Sequence, residues 1–191
     1  MTETLEISAR RPKILGAVLA GGHSSRFGSD KAYAMLHGRP LIEHAIECLR
    51  AHTQLVVVCG RQVAMEHCLK DRPKSGLGPL GGLNAALHYA AGQGYDGVLS
   101  IGCDMPLLPD EIADKLLGCG AAVVSSQHLI GHWPVALAPH LAAHLHQAKD
   151  RSIRKWLEHI QPRHISLSGK VIPNINTLSD LESISQNWDG T

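Results

Sequence analysis

The run Ile14-Leu15-Gly16-Ala17-Val18-Leu19-Ala20 is apolar throughout and stops at Gly21-Gly22. An uninterrupted run of this kind fits a strand buried on both faces of a parallel sheet. The segment after it ends in Arg26-Phe27-Gly28-Ser29-Asp30-Lys31. Glycines let backbone N–H groups approach an anion closely, and the two cations neutralise it. A strand that ends this way is suited to holding phosphate. The competing reading is a glycine turn with two solvated cations.

The same alternation continues along the chain. Pro40 opens a helix whose apolar face is Leu41, Ile42, Ala45, Ile46 and Leu49. A second buried strand, Gln54–Cys59, ends at Gly60. A helix is expected over about 61–69, then a Pro/Gly-rich loop from Arg72 to Leu80 and a helix over Gly81–Ala91. Further expectations are a strand at Gly97–Gly102, a helix at 109–118, and strands at 121–126 and Pro134–Ala138. Helices at 139–148 and 152–160, extended pieces near 164–173 and a last helix from Leu178 complete the reading. Strands alternating with helices imply an α/β fold, a mostly parallel sheet with helices on both faces. Residues 1–13 are expected as a loose tail and 14–191 as a single domain. In such sheets ligands sit outside the carboxyl ends of the strands. The loops at 20–31, 59–60 and 103–106 all leave strands at that end.

Composition narrows the function classes. The chain has 191 residues, 44% of them apolar, and a net charge of +1. A sizeable core is possible, and no basic block offers a footprint for nucleic acid or a membrane surface. Arg10-Arg11 before the first apolar run resembles an export signal only faintly: Glu3 and Glu6 precede it and no A-x-A site follows. No stretch approaches the ~20 apolar residues needed to span a bilayer. Cys48, Cys59, Cys68, Cys103 and Cys119 form no C-x-x-C pair and read as reduced, mostly buried thiols in a cytoplasmic protein. The 13 histidines show no zinc-ligand spacing.

Several segments carry chemistry. The first loop is not a Walker A motif, because five residues separate Gly22 from Gly28 and Ser29 follows where a lysine would stand. Lys31 is still far enough along for the loop to wrap a triphosphate and return an amine to it. Gly76-Leu77-Gly78-Pro79-Leu80-Gly81 fits G-x-G-x-x-G, yet Asp71-Arg72-Pro73-Lys74-Ser75 before it is no strand, which speaks against a dinucleotide fingerprint. That loop can present N–H groups at a helix start, or be a plain entry turn. Asp104 follows a buried strand, and Pro106 fixes the turn after it. A carboxylate there suits Mg²⁺, which takes one or two carboxylates plus substrate phosphates; the alternative is a turn former. Asp71 can accept two N–H bonds from the Watson–Crick edge of guanine, or be a solvated turn residue. Thr177 with Asp180 reads as a capping box. His132 reads as structural, and Met35, Trp156 and Trp188 as packing residues.

Leu19-Ala20-Gly21-Gly22, Arg26-Phe27-Gly28, Asp30-Lys31, Gly78-Pro79-Leu80-Gly81-Gly82, Cys103-Asp104-Met105-Pro106 and Asn174-Ile175-Asn176-Thr177 occur in this order. The ordered set resembles the molybdenum cofactor guanylyltransferases, the MobA family, over about residues 14–187, and so implies a three-layer, Rossmann-like nucleotidyltransferase sheet. The resemblance implies GMP transfer from GTP to the terminal phosphate of molybdopterin, with Mg²⁺, releasing pyrophosphate. It assigns nucleotide contacts to Leu19, Ala20, Gly21, Gly22, Gly78 and Pro79. It further assigns Lys31 to the triphosphate, Asp71 to the base and Asp104 to the metal; the charge on the triphosphate adds Arg26 as a second cation. The family's asparagine after its second strand falls on Cys59, which cannot make the same amide bonds. Leu178 stands where the family's proline follows Asn-Thr. Proteins that deliver the product to molybdoenzymes are an implied partner class. A related enzyme that uses CTP or a sugar phosphate, or a non-catalytic nucleotide-binding protein, are the rival readings.

Overall fold

The computed structural model describes residues 10–21, 30–118, 120–167 and 172–186. The chain opens with β1 (Ile14–Leu19), a single 3-10 turn (Lys31–Tyr33), and a two-residue hairpin of β2 (Met35–Leu36) and β3 (Arg39–Pro40). Next come α1 (Leu41–Arg50), β4 (Leu55–Cys59), β5 (His67–Leu69), α2 (Pro79–Gly92) and β6 (Gly97–Gly102). The second half holds α3 (Asp110–Leu116), β7 (Ala122–Val124), β8 (Gln127–Pro134), α4 (Ala138–Gln147), α5 (Ile153–Ile160), β9 (Arg163–Ile165) and α6 (Leu178–Gln186).

Seven strands form one sheet in the order β5-β4-β1-β6-β8-β7-β9. All neighbouring pairs are parallel except those of β8, which runs antiparallel to both β6 and β7. The expected mostly parallel sheet is therefore observed. Chain order moves outward from β1 to β4 and β5, then returns to β6 on the other side of β1. That reversal opens a crevice at the carboxyl ends of β1 and β6, the usual ligand position in open α/β sheets.

Alternation along β1 explains the three layers. Ile14, Val18 and Ala20 face a core shared with α1 and α3, whereas Leu15, Ala17 and Leu19 face a core shared with α2, α4 and α5. Helix α1 presents Leu41, Ile42, Ala45, Ile46 and Leu49 inward, the face read from the sequence. Each Leu or Ile so buried contributes about 1.5–3 kcal/mol. Gly16 lets α1 close on the sheet: a Cβ there would lie 2.7 Å from Thr53 Oγ1 and 3.2 Å from Leu49 Cβ. The hairpin and α6 meet in a third cluster of Leu36, Leu41, Ile175, Leu181 and Ile184.

The local reading needs four corrections. Residues 61–69 are not a helix: the Val63 N–H donates to Cys68 Sγ (3.2 Å), closing a turn, and His67–Leu69 add β5 to the edge of β4. The strand placed at Pro134–Ala138 lies earlier, at Gln127–Pro134, and Pro134 passes directly into a 3-10 turn. Gly131 hid it, since a Cβ there would meet the Trp133 ring at 2.8 Å. Met35 is exposed, not packed. Of the described cysteines only Cys59 is buried, and Cys48, Cys68 and Cys103 are half-buried; Cys119 and Trp188 lie outside the described residues. Trp156 is in the core, and His132 is structural, its Nδ1 3.0 Å from the Gly120 carbonyl. Within the segment expected as a tail, Arg10 donates to Asp96 at 2.8 Å and the Lys13 N–H at 2.6 Å.

Candidate active site

The crevice at the end of β1 and β6 is a cleft of about 240 Å³ bordered by Lys31, Arg61, Asp104, Asn176, Gly21 and Pro79. Lys31 is the first residue of the 3-10 turn after β1. Asp30 caps that turn, its Oδ1 accepting from the Ala32 N–H at 3.2 Å. The Lys31 ammonium is 7% exposed as a residue. It donates to Asp104 Oδ2 at 2.9 Å and to Asn176 Oδ1 at 3.0 Å. A buried ammonium requires such partners.

Asp104 sits in the turn that ends β6. The Met105 N–H returns to the Gly102 carbonyl at 3.2 Å, and the Ile175 N–H donates to the Asp104 carbonyl at 3.1 Å. The segment before α6 is thereby fastened to the turn that carries Asp104. Its own end is set by the expected capping box. Thr177 Oγ1 accepts from the Asp180 N–H at 3.1 Å, and Asp180 Oδ2 accepts from the N–H groups of Asn176 and Thr177, both at 2.8 Å.

On the other side of Gly21 stands Asp71. Its carboxylate lies in a slot of backbone: Cβ atoms built on Gly21, Gly60 and Gly82 would come within 3.6, 3.2 and 3.6 Å of it. Gly60 is obligatory here, with φ +87° and a would-be Cβ 2.5 Å from the Gly21 Cα. Asp71 Oδ1 is buried and has no hydrogen-bond partner among the described residues. Burial pushes the carboxyl above its usual range, partly offset by the Gly76 N–H. A carboxylate held partly dry beside a cleft has acceptor capacity left for a ligand.

The Gly-rich loop reaches the cleft as expected: Gly78, with φ +62°, precedes α2, and Pro79 is the first residue of the helix. Cys59 lies differently. Its side chain is buried among Leu19, Leu83 and Leu87, and burial raises its thiol pKa far above the usual value. Its carbonyl accepts from the Ala20 N–H at 3.0 Å, so its visible role is to hold the end of β1. Gly22 and Arg26 lie outside the described residues.

Two cleft residues had no assigned role in the sequence reading. Asn176 was visible only as part of a motif. Arg61 follows Gly60 directly, at the end of β4, where the strand-end argument already placed a ligand loop. It donates through Nε to the Ala20 carbonyl at 2.9 Å and through Nη1 to Asp30 Oδ2 at 2.7 Å.

A family model of the MobA-like NTP transferase domain matches residues 16–165. The chain belongs to that family. A protein named molybdenum cofactor guanylyltransferase from Rhizobium leguminosarum bv. trifolii is 33% identical over 202 residues, 96% of each chain. A solved structure of molybdopterin-guanine dinucleotide biosynthesis protein A from Archaeoglobus fulgidus aligns with a TM-score of 0.75 at 24% identity, covering 93% of this chain and all of that one. A Mycobacterium tuberculosis protein solved as a complex with manganese aligns at 0.60 and 12% identity, covering 91% and 98%. The two solved structures share the fold. Among the described residues no three His, Cys, Asp or Glu side chains gather as a ready metal site. The cleft lining holds two carboxylates, Asp104, paired with Lys31, and Asp30, paired with Arg61. Such a donor set fits a metal that arrives with substrate phosphates. No helix among the described residues is long and apolar enough to cross a membrane.

Proposed function

We propose that the chain transfers GMP from GTP to the terminal phosphate of molybdopterin, giving the guanine dinucleotide form of the molybdenum cofactor and pyrophosphate. The observation that carries this reading is the cleft between β1 and β6, where the Lys31 ammonium is held by Asp104 and Asn176. The 33%-identical relative supports the choice of substrates.

The acceptor phosphate is already an anion, so the reaction needs no strong general base. Repulsion between two anions and charge developing on the leaving pyrophosphate are the obstacles. A preorganised, buried cation at the cleft addresses both. Lys31 binds the triphosphate, with Arg26 as its second cation. Leu19, Ala20, Gly21 and Gly22 are the residues we assign to the nucleotide. Asp71 accepts from the guanine edge next to Gly78 and Pro79, while Cys59 acts through its backbone. Asp104 would hold a divalent cation, Mg²⁺ in our reading. Such an ion would supply neutralisation of the charge that develops during transfer.

Half-buried free cysteines fit a reducing, cytoplasmic setting. Proteins that take the product to molybdoenzymes are the partner class that fits the reading. The deciding experiment incubates the protein with Mg²⁺, molybdopterin and each nucleoside triphosphate in turn, and identifies products by mass. The expected product is the guanine dinucleotide with pyrophosphate. Cytosine product in its place, or no product, would overturn the assignment.

A further inference from the structure

We propose that Arg61 is a positioning residue that joins the end of β1 to the turn carrying Lys31 and so fixes the Lys31 ammonium in the cleft. This inference rests on the reading of that cleft as the triphosphate site.

Three contacts meet on one guanidinium. Nε donates to the Ala20 carbonyl (2.9 Å), the group immediately after β1. Nη1 donates to Asp30 Oδ2 (2.7 Å). The Tyr33 ring lies 5.6 Å from the guanidinium carbon, within cation–π range. Asp30 is a shared node, because its other oxygen caps the 3-10 turn at Ala32. One carboxylate thus ties Arg61 to the turn whose first residue is Lys31. The side chain is 16% exposed, against 50% for that of Asp30. This is not a surface pair between two solvated side chains, which contributes little.

Only arginine can do this. Its planar fork holds two donors in fixed geometry, one toward a carbonyl and one toward a carboxylate. A lysine offers a single point charge and cannot make both bonds in the same directions. Arg61 lines the same cleft as Lys31 and Asp104. Ala20 directly follows β1 and Arg61 lies just past β4, so the Nε bond crosses between the ends of adjacent parallel strands.

The test is equilibrium binding of GTP with Mg²⁺ to the full chain, by calorimetry, with Arg61→Lys, Asp30→Asn, Lys31→Ala and the Arg61→Lys/Lys31→Ala double variant. Wild-type binding tests the reading of the cleft; the variants test the role of Arg61. Arg61→Lys is expected to weaken GTP binding about tenfold, and Asp30→Asn by a similar factor. In the Lys31→Ala background the same Arg61→Lys change is expected to cost about twofold or less, since it acts through a lysine no longer present. Should Arg61→Lys fail to fold, Asp30→Asn alone and combined with Lys31→Ala gives the same comparison. Wild-type affinity in Arg61→Lys, or an equal loss with and without Lys31, overturns the proposal. Absence of GTP binding by the wild-type chain would instead overturn the reading beneath it.

Discussion

Lys31 Nζ lies 2.9 Å from Asp104 Oδ2, and the two side chains are 9% and 22% exposed. The pair joins the turn after β1 to the turn after β6. A charge pair this far withdrawn from water is costly to break from one side, because the remaining charge is left without its counter-charge. Asn176 shares the load by accepting the second Lys31 bond. The same two residues that hold each other are those assigned to triphosphate and metal, so stability and function are coupled at this point.

Substitutions at Asp104 should show that coupling. Asp104→Asn keeps an oxygen for Lys31 but loses the charge. We expect a loss of about 10²–10³-fold in kcat, the scale of one preorganised electrostatic contact, together with a lower Tm, because the buried Lys31 ammonium loses its counter-charge. Asp104→Ala leaves Lys31 with Asn176 alone and is expected to cost a further 1–3 kcal/mol or so of stability. Pyrophosphate release at near wild-type rate by Asp104→Asn would refute the role.

Replacing Lys31 removes a charged hydrogen-bond donor from the substrate path. Lys31→Ala is expected to lose about 1.5–3 kcal/mol of transition-state stabilisation, roughly 10–150-fold in kcat/KM for GTP. The KM for the pterin acceptor should hardly move. Steady-state kinetics with each substrate varied in turn provides the check. An equal effect on both KM values would place Lys31 elsewhere in the reaction.

Asp71 has a cost in the folded protein that substitution relieves. Burial raises its carboxyl pKa, so the ionised form is disfavoured in the fold and its stability deficit shrinks as pH falls toward that raised pKa. Asp71→Asn should therefore leave Tm unchanged or slightly higher. It also turns an acceptor into a partial donor, so preference for GTP over other nucleotides should fall by about tenfold or more. A lower Tm with selectivity intact would make Asp71 a structural residue.

His132 gives the pH dependence of stability. Burial lowers its pKa, with the nearby Arg163 charge adding to that and the Gly120 carbonyl opposing it. The unfolded chain therefore binds the proton more readily. Stability is full above the ordinary imidazole value and declines as pH drops below about 6.5 toward the lowered pKa. His132→Asn keeps a donor for Gly120 without the titration. Melting curves from pH 8 to 5 should show a shallower decline in this variant; identical slopes would remove His132 from the explanation.

Much of the architecture was legible because the signals are local. The period of α1, the apolar runs of β1, β4 and β6, and the Thr177–Asp180 box all depend on residues a few positions apart. The errors came where pairing overrode local character. Strand β5 is three residues, His67–Leu69, and exists because β4 offers a free edge. Strand β8 contains Gly131 and two histidines and reads poorly as a strand, yet β6 and β7 pair with it on both sides. At the site, Lys31, Asp71 and Asp104 were readable from the loops that carry them; Arg61 stands just past a strand end too, but its partners Ala20 and Asp30 are 41 and 31 positions away.

By itself the sequence determined an α/β alternation with chemistry at the strand ends, since periodicity and turn residues act over short distances. Tertiary structure decided which of those ends meet. Asp104 and Asn176 are 73 and 145 positions from Lys31, and no local rule relates them. They converge because the strand order reverses at β1, placing the ends of β1 and β6 side by side, and because a backbone bond from Ile175 to Asp104 draws in the segment before α6.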